Sequence, residues 1–223
     1  MTCSLKEIEH IKNFSNLTPN LVALSYDDKG PLLACPSSDG QLNSVMLLSL
    51  NDSKVIEAFK AHSRNISNIA LNYGATLVAT VPLNSKIIRV YSTEGNLLKQ
   101  FQQKEKGEVD FLKFNSDSSY LVSAKNSKHV LIYKLSDAVN QSRVSSLFKG
   151  SGEKEFAYLK IPKEVRKFRV VGFSENYVGF IGIFVQDDQM NVMLFEINQQ
   201  KGGECKQVMM FNAAKKDTNE FQL

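Results

Sequence analysis

The sequence predicts an all-β fold assembled from repeated four-stranded units, on three observations. Apolar residues fall in short runs of strand length, rich in β-branched and aromatic side chains and bounded by Gly, Asn, Asp or Ser. Helical spacing is not sustained over any window of a dozen residues. The runs also recur in a fixed order, at a period of roughly 40 residues.

The runs, in order, are LVALSY (21–26), LLAC (32–35), SVMLLSL (44–50), ISNIALN (66–72), TLVATV (76–81), KIIRVYS (86–92), VDFLKF (109–114), YLVSA (120–124) and HVLIYKL (129–135). ALSYDDKGPLLAC, ALNYGATLVAT and KFNSDSSYLVSA superpose as strand, short turn, strand at matching offsets. FAYLKI (156–161), FRVVGF (168–173), YVGFIGIFV (177–185) and MNVMLFEI (190–197) supply a fourth unit. The expected units are 14–59, 60–101, 107–150 and 156–212, within one domain spanning 1–223, with a partial strand over 5–11 in front. A period of this length is that of one four-stranded propeller blade, so the fold class is an all-β, WD-repeat-type propeller.

Composition narrows the function classes. Hydrophobic residues make up 43% and charged residues 22% of 223, the balance of an ordinary globular domain. A net charge of +4 permits an anionic partner without demanding one, and Lys and Arg show none of the clustering of a nucleic-acid binder. Cys3, Cys35 and Cys205 are odd in number and form no C-x-x-C, which fits free thiols in a reducing compartment. The opening MTCSLKEIEHIK carries no signal-peptide pattern, and no run of about 18 apolar residues predicts a transmembrane helix. A cytoplasmic location is expected. The chain has no GxGxxG, P-loop, HExxH or GxSxG, so an enzyme is not expected. Asp27, Asp28, Asp117, Asp187 and Asp188 fall in predicted turns, where carboxylates brace the backbone. His10 and His129 have no matching ligand set, so neither a metal nor a cofactor is expected.

Several segments resemble one family. AHSRNISNIALNYGATLVATVPLNSKIIRVYSTEGNLLKQF (61–101) is similar to the fifth blade of the WD-repeat phosphoinositide-interacting (PROPPIN, WIPI-type) family, through Ala61-His62, Leu77 to Thr80, and Ile88-Arg89-Val90-Tyr91. FNSDSSYLVSAKNSKHVLIYKL (114–135) resembles the next blade, and LVALSYDDKGPLLACPSSDG (21–40) the preceding one. The tail KGGECKQVMMFNAAKKDTNEF (201–221) resembles the family's C-terminal stretch. The resemblance implies a seven-bladed plan of which this chain matches the last four blades, an incomplete ring. It also implies peripheral binding to phosphatidylinositol 3-phosphate or phosphatidylinositol 3,5-bisphosphate in autophagosome formation, on preautophagosomal or endosomal membranes, with autophagy proteins as partners.

One departure bears directly on that function. The family carries Phe-Arg-Arg-Gly after the fifth blade, with the two arginines serving two separate phosphoinositide sites. Here the residues are Phe101-Gln102-Gln103-Lys104. A guanidinium forks onto phosphate oxygens with permanent charge, whereas glutamine donates a neutral hydrogen bond. The difference is worth roughly tenfold in affinity per site.

The lipid-binding candidates implied by the resemblance are therefore His62, Arg89, Gln102, Gln103, Lys104, Lys106 and Ser123. His62 also reads as an ordinary loop-to-strand histidine, Arg89 as a solvated strand residue, and Ser123 as polar filler. Lys125 and Lys128 are expected to be solvated in a turn. Val144, Leu147 and Phe148 stand where the family carries a membrane-contacting loop, among Arg143, Lys149 and Lys154, a composition suited to an interfacial anchor or to a polar linker. Three functions stay open: a lipid-binding peripheral membrane protein, a lipid-silent scaffold for protein–protein interaction, and a truncated product that folds poorly.

Overall fold

The structure is a computed structural model describing residues 21–25, 30–37, 42–104, 106–125, 129–135, 152–165, 167–174 and 182–214. Its strands form four sheets in chain order, antiparallel throughout except where the short Gly203–Glu204 strand joins the third sheet parallel to Ala157–Leu159. The first holds β1 (Ala23–Leu24), β2 (Leu32–Pro36), β3 (Ser44–Ser49) and β4 (Lys54–Lys60). The second holds β5 (Ile66–Leu71), β6 (Leu77–Pro82), β7 (Ile87–Ser92) and β8 (Leu97–Gln102). The third holds β9 (Val109–Phe114), β10 (Tyr120–Lys125), β11 (His129–Lys134) and β12 (Ala157–Leu159). The fourth holds β13 (Phe168–Ser174), β14 (Gly182–Asp187), β15 (Asn191–Glu196) and, after the two-residue β16 (Gly203–Glu204), β17 (Lys206–Asn212).

The sheets stack face to face, each covering its neighbour. Ala34, Val45 and Leu47 of the first pack with Ile69, Val78 and Tyr91 of the second. Ala79, Ile88 and Phe101 pack with Leu121, Leu131 and Tyr133 of the third. Val122 and Ile132 pack with Ile183, Val185, Met193 and Phe195 of the fourth. The inner strands are thus buried on both faces, and every residue of β6 and β10 is buried. Continuous apolar runs such as LVATVP follow from this two-sided burial, which strict alternation would not satisfy.

Local signals set the turns. Asn72 Oδ1 accepts the Thr76 and Leu77 N–H groups, and Asn115 Oδ1 accepts the Tyr120 N–H. Asn72 Nδ2 also donates to Ser118 Oγ at 2.9 Å, tying the turns of the second and third sheets together. Asp117 and Asp187 brace backbone N–H groups of their own turns, as their sequence positions predict. Cys35 and Cys205 are free and buried, and burial pushes their thiols up to about 11 and about 12, far from the reactive thiolate range.

One strand sits elsewhere than expected. Ala157–Leu159 pairs with β11 as the outer strand of the third sheet, and β17 completes the fourth. Two short segments cross between sheets. The 152–155 segment lies parallel to β8, with Glu153 N–H donating to Gln100 O at 2.9 Å and Gln102 N–H to Glu153 O at 2.8 Å. β16 likewise lies parallel to β12, with Gly203 N–H donating to Phe156 O and Cys205 N–H to Tyr158 O, both at 2.9 Å. The outer edges of β8 and β12 are thus each strapped by the chain that enters the next outer strand.

Candidate functional site

Residues 101–104 leave β8 in extended form, so successive side chains point to opposite faces. Phe101 and Gln103 turn toward the third sheet and are buried, while Gln102 is exposed on the face shared with Arg89 and Gln100. The backbone fixes both glutamines: Gln103 N–H donates to Lys86 O at 2.6 Å, and Gln102 N–H bonds the Glu153 strap. The adjacent pair therefore faces two opposite sides, where the resemblance implies two separate sites.

Gln103 is 2% exposed, yet neither its amide nitrogen nor its amide oxygen has a hydrogen-bond partner among the described residues. Its side chain borders a cleft of about 380 Å³ between the second and third sheets, shared with Lys104, Lys125, His129, Tyr158 and Lys160. Ser123 and Lys125 of β10 share one face of the third sheet with His129 and Tyr133 of β11, by the register Ser123↔Leu131 and Lys125↔His129. Ser123 Oγ and Tyr133 Oη are also buried without a partner. A buried polar group without a partner costs about 1–3 kcal/mol, so three in one region mark a place suited to accepting a polar guest.

The charges around the cleft are arranged unequally. Lys104 is ion-paired with Glu155 and lies 5.5 Å from the Tyr158 ring centroid. The Glu155 hydrogen bond and charge raise the Lys104 pKa. Burial works against the Glu155 carboxylate, but the bond from Lys104 and its charge prevail and hold it below the usual range. Lys160 is exposed and 3.9 Å from Glu204. Lys125 is only 4% exposed, which corrects the expectation of a solvated turn lysine: it is the last residue of β10, not part of the turn. Lys106 is exposed and is not part of the cleft wall. Lys128, Val144, Leu147 and Phe148 lie outside the described residues.

His62 and Arg89 form a separate cluster on the other face of the second sheet. His62 Nε2 lies 2.9 Å from Thr80 Oγ1, and Thr80 is in register with Arg89. Arg89 donates from Nε to Gln100 Oε1 at 2.9 Å and from Nη1 to Ala61 O at 2.7 Å, and the Tyr91 hydroxyl also donates to Ala61 O. Arg89 is thus a half-buried group held by two acceptors, Gln100 Oε1 and Ala61 O. Burial, and then the Arg89 charge, push His62 down to about 4, so it is neutral near pH 7.

That shift gives a pH prediction. The unfolded chain binds a proton at His62 near pH 6.5, and the folded one only near pH 4. The stability is complete above pH 6.5 and is lost as pH falls toward 4, by about 3 kcal/mol for this residue. Urea titrations of wild type and His62→Gln at a series of pH values should differ in slope across that window, with the variant flatter.

Lys125, His129, Tyr158 and Lys160 are the cleft residues that sequence reasoning missed. Strand periodicity from Ser123 reaches Lys125 directly, two residues on. Tyr158 and Lys160 belong to a strand assigned by sequence to the following unit, so no local signal joined them to Gln103. Among the described residues no His, Cys, Asp and Glu group could hold a metal ion, and no helix is long and apolar enough to cross a membrane.

A family model described as PROPPIN matches residues 3–160. The chain belongs to the PROPPIN family. WD repeat domain phosphoinositide-interacting protein 1 of Xenopus laevis is 26% identical over 97% of this chain and 56% of its own length. Autophagy-related protein 18 of Caenorhabditis elegans is 29% identical over 59% of this chain and 33% of its own. This PROPPIN chain therefore spans between a third and just over half the length of these relatives. Among solved structures, KlAtg21 in its complex with the coiled coil of AgAtg16 aligns with a TM-score of 0.67 at 22% identity, over 86% of this chain and 57% of that one. Kluyveromyces lactis Hsv2p aligns with a TM-score of 0.66 at 15% identity, over 86% and 61%. At those identities the likeness speaks to the fold: this PROPPIN is all-β, with four propeller-type sheets among the described residues in an incomplete ring.

Proposed function

We propose that this PROPPIN binds a phosphorylated inositol headgroup at a membrane surface through the cleft between its second and third sheets, in an autophagy-related role. The observation that carries the reading is Gln103: a buried amide without a partner, bordering a cleft rimmed by Lys104, Lys125 and Lys160. A phosphate oxygen accepts from the amide Nε2, and the ammonium groups supply charge-assisted bonds. Phosphatidylinositol 3-phosphate and phosphatidylinositol 3,5-bisphosphate are the proposed lipids, on the cytosolic face of preautophagosomal or endosomal membranes, and the name of the Xenopus relative supports the inositol-lipid class. The name of the Caenorhabditis relative supports the autophagy setting.

A second reading, a lipid-silent scaffold, draws on the other face. His62 is neutral and Gln102 uncharged, so of these three residues only Arg89 carries charge, and it is held by Ala61 and Gln100. We therefore assign headgroup binding to the Gln103 side alone.

Liposome flotation tests this. Wild type should float with vesicles containing phosphatidylinositol 3-phosphate or the 3,5-bisphosphate and not with phosphatidylcholine alone. Gln103→Arg should strengthen binding by about tenfold, Lys160→Glu should weaken it by a similar factor, and Gln102→Arg should change it little. If neither wild type nor Gln103→Arg floats, the headgroup reading fails and the scaffold reading replaces it.

A further inference from the structure

Three outer strands carry the same register irregularity at the same place, which lets their edges be superposed residue by residue. In β8 the pairing slips between Lys99 and Leu97, in β4 between Glu57 and Val55, and in β17 between Met209 and Gln207. Glu57 thus corresponds to Lys99, Ala58 to Gln100, Phe59 to Phe101 and Lys60 to Gln102. On β8 the outward groups are Gln100 C=O and Gln102 N–H, both taken by the Glu153 strap. On β4 the outward groups are therefore Ala58 C=O and Lys60 N–H.

The strap chemistry is repeated. Gly152-Glu153 docks on β8, and Gly203-Glu204 docks on β12. Glycine is favoured at the first: a Cβ on Gly152 would lie 3.0 Å from Gln102 N and from Phe101 C, a tight contact with backbone. The glutamate meets a lysine of the receiving sheet, Glu153 with Lys99 at 3.1 Å and Glu204 with Lys160 at 3.9 Å. β4 has no such strap among the described residues, although the whole of the next sheet is described. Instead the chain enters β8 by a tight turn in which Ser92 C=O accepts the Gly95 N–H. Val55 and Ile56 stay 55% and 49% exposed, an apolar edge of the kind that recruits an added strand.

We infer that the outer edge of β4 is a docking site for an extended peptide segment of a partner protein, running parallel to β4, with a glycine followed by an arginine or lysine. The charge argument selects the occupant. Where β8 presents Lys99 to a strap glutamate, β4 presents Glu57, so the complementary strap residue is basic. Glu57 Oε1 meanwhile caps the neighbouring Ala58 N–H at 3.0 Å on the exposed edge. An arriving strand takes over that N–H with its own carbonyl and releases the carboxylate to the basic side chain.

Two synthetic peptides provide the probe: Ser-Gly-Glu-Lys-Glu-Phe, the chain's own strap, and the same peptide with arginine in place of its first glutamate. Binding is followed by the amide shifts of Ala58 and Lys60 in the full chain. The arginine peptide should bind several-fold tighter than the glutamate peptide, and Glu57→Lys should invert that order. Lys60→Pro, which removes the outward donor, should abolish binding with the thermal midpoint retained. Equal affinity for both peptides, an order unchanged by Glu57→Lys, or no shift at millimolar peptide overturns the inference. A mass of twice the chain that Lys60→Pro halves overturns it too, since the edge would then serve a second copy.

Discussion

Phe101→Ala should destabilise the chain by about 3–5 kcal/mol, the largest effect expected of any single side-chain truncation at this interface. Phe101 is 1% exposed, its ring centroid lies 4.6 Å from that of Tyr133, and it packs with Ile88, Leu121 and Leu131. Its removal leaves a cavity between the second and third sheets that β-sheet backbones cannot collapse around. It also unseats the strand end that holds Gln103 over the cleft. Register supplies an internal control, because Phe59 and Phe211 occupy the same position in β4 and β17. Phe59 is half-buried beside Tyr91, with ring centroids 4.9 Å apart, and Phe211 is exposed. Urea unfolding should rank the three alanine variants Phe101, Phe59, Phe211 in falling cost, with the last within about 0.5 kcal/mol of wild type. Equal costs would mean that the sheets do not stack in chain order.

That ranking illustrates what could be seen in the sequence. The all-β class and the four-fold repeat were legible because the inner strands are short, mostly apolar runs, with a turn residue at a fixed offset in the second and third sheets, as Asn72 and Asn115 show. The opposite facing of Gln102 and Gln103 was implied by the resemblance, and the alternation of side chains along a strand accounts for it. The membership of Ala157–Leu159 in the third sheet was not legible, since a three-residue strand carries no periodicity and its partner β11 lies beyond the 136–150 segment. Lys125 read as a turn residue because its charge, and not its place two residues after Ser123, dominated the local pattern. The neutral state of His62 was equally hidden. It arises first from burial and then from Arg89, which is distant in sequence and is brought near by the β6–β7 pairing. The straps were overlooked for a related reason: Gly-Glu dipeptides look like loop, and only the edge they lie against makes them structure.

The second large effect concerns such a strap. Gly202 has φ of +63°, and a Cβ there would overlap the Phe156 carbonyl oxygen that accepts the Gly203 N–H. Gly203 also has a positive φ, +82°, but a Cβ on it meets open space. Gly203→Ala should therefore cost only the left-handed backbone penalty, about 1–2 kcal/mol. Gly202→Ala pays that penalty and must also push backbone away from backbone, freeing the Gly203 and Cys205 N–H groups from Phe156 and Tyr158. The expected total is about 3 kcal/mol or more. A chemical readout separates strap release from general loosening. Cys205 is buried against the core of the third and fourth sheets, whereas Cys35 is buried beside Met46 and Leu48 of the first. In a Cys3→Ser background, Gly202→Ala should speed thiol labelling of Cys205 by more than about tenfold while Cys35 stays slow. If both thiols react faster together, the strap does not act as a local latch and its glycine serves only the global fold.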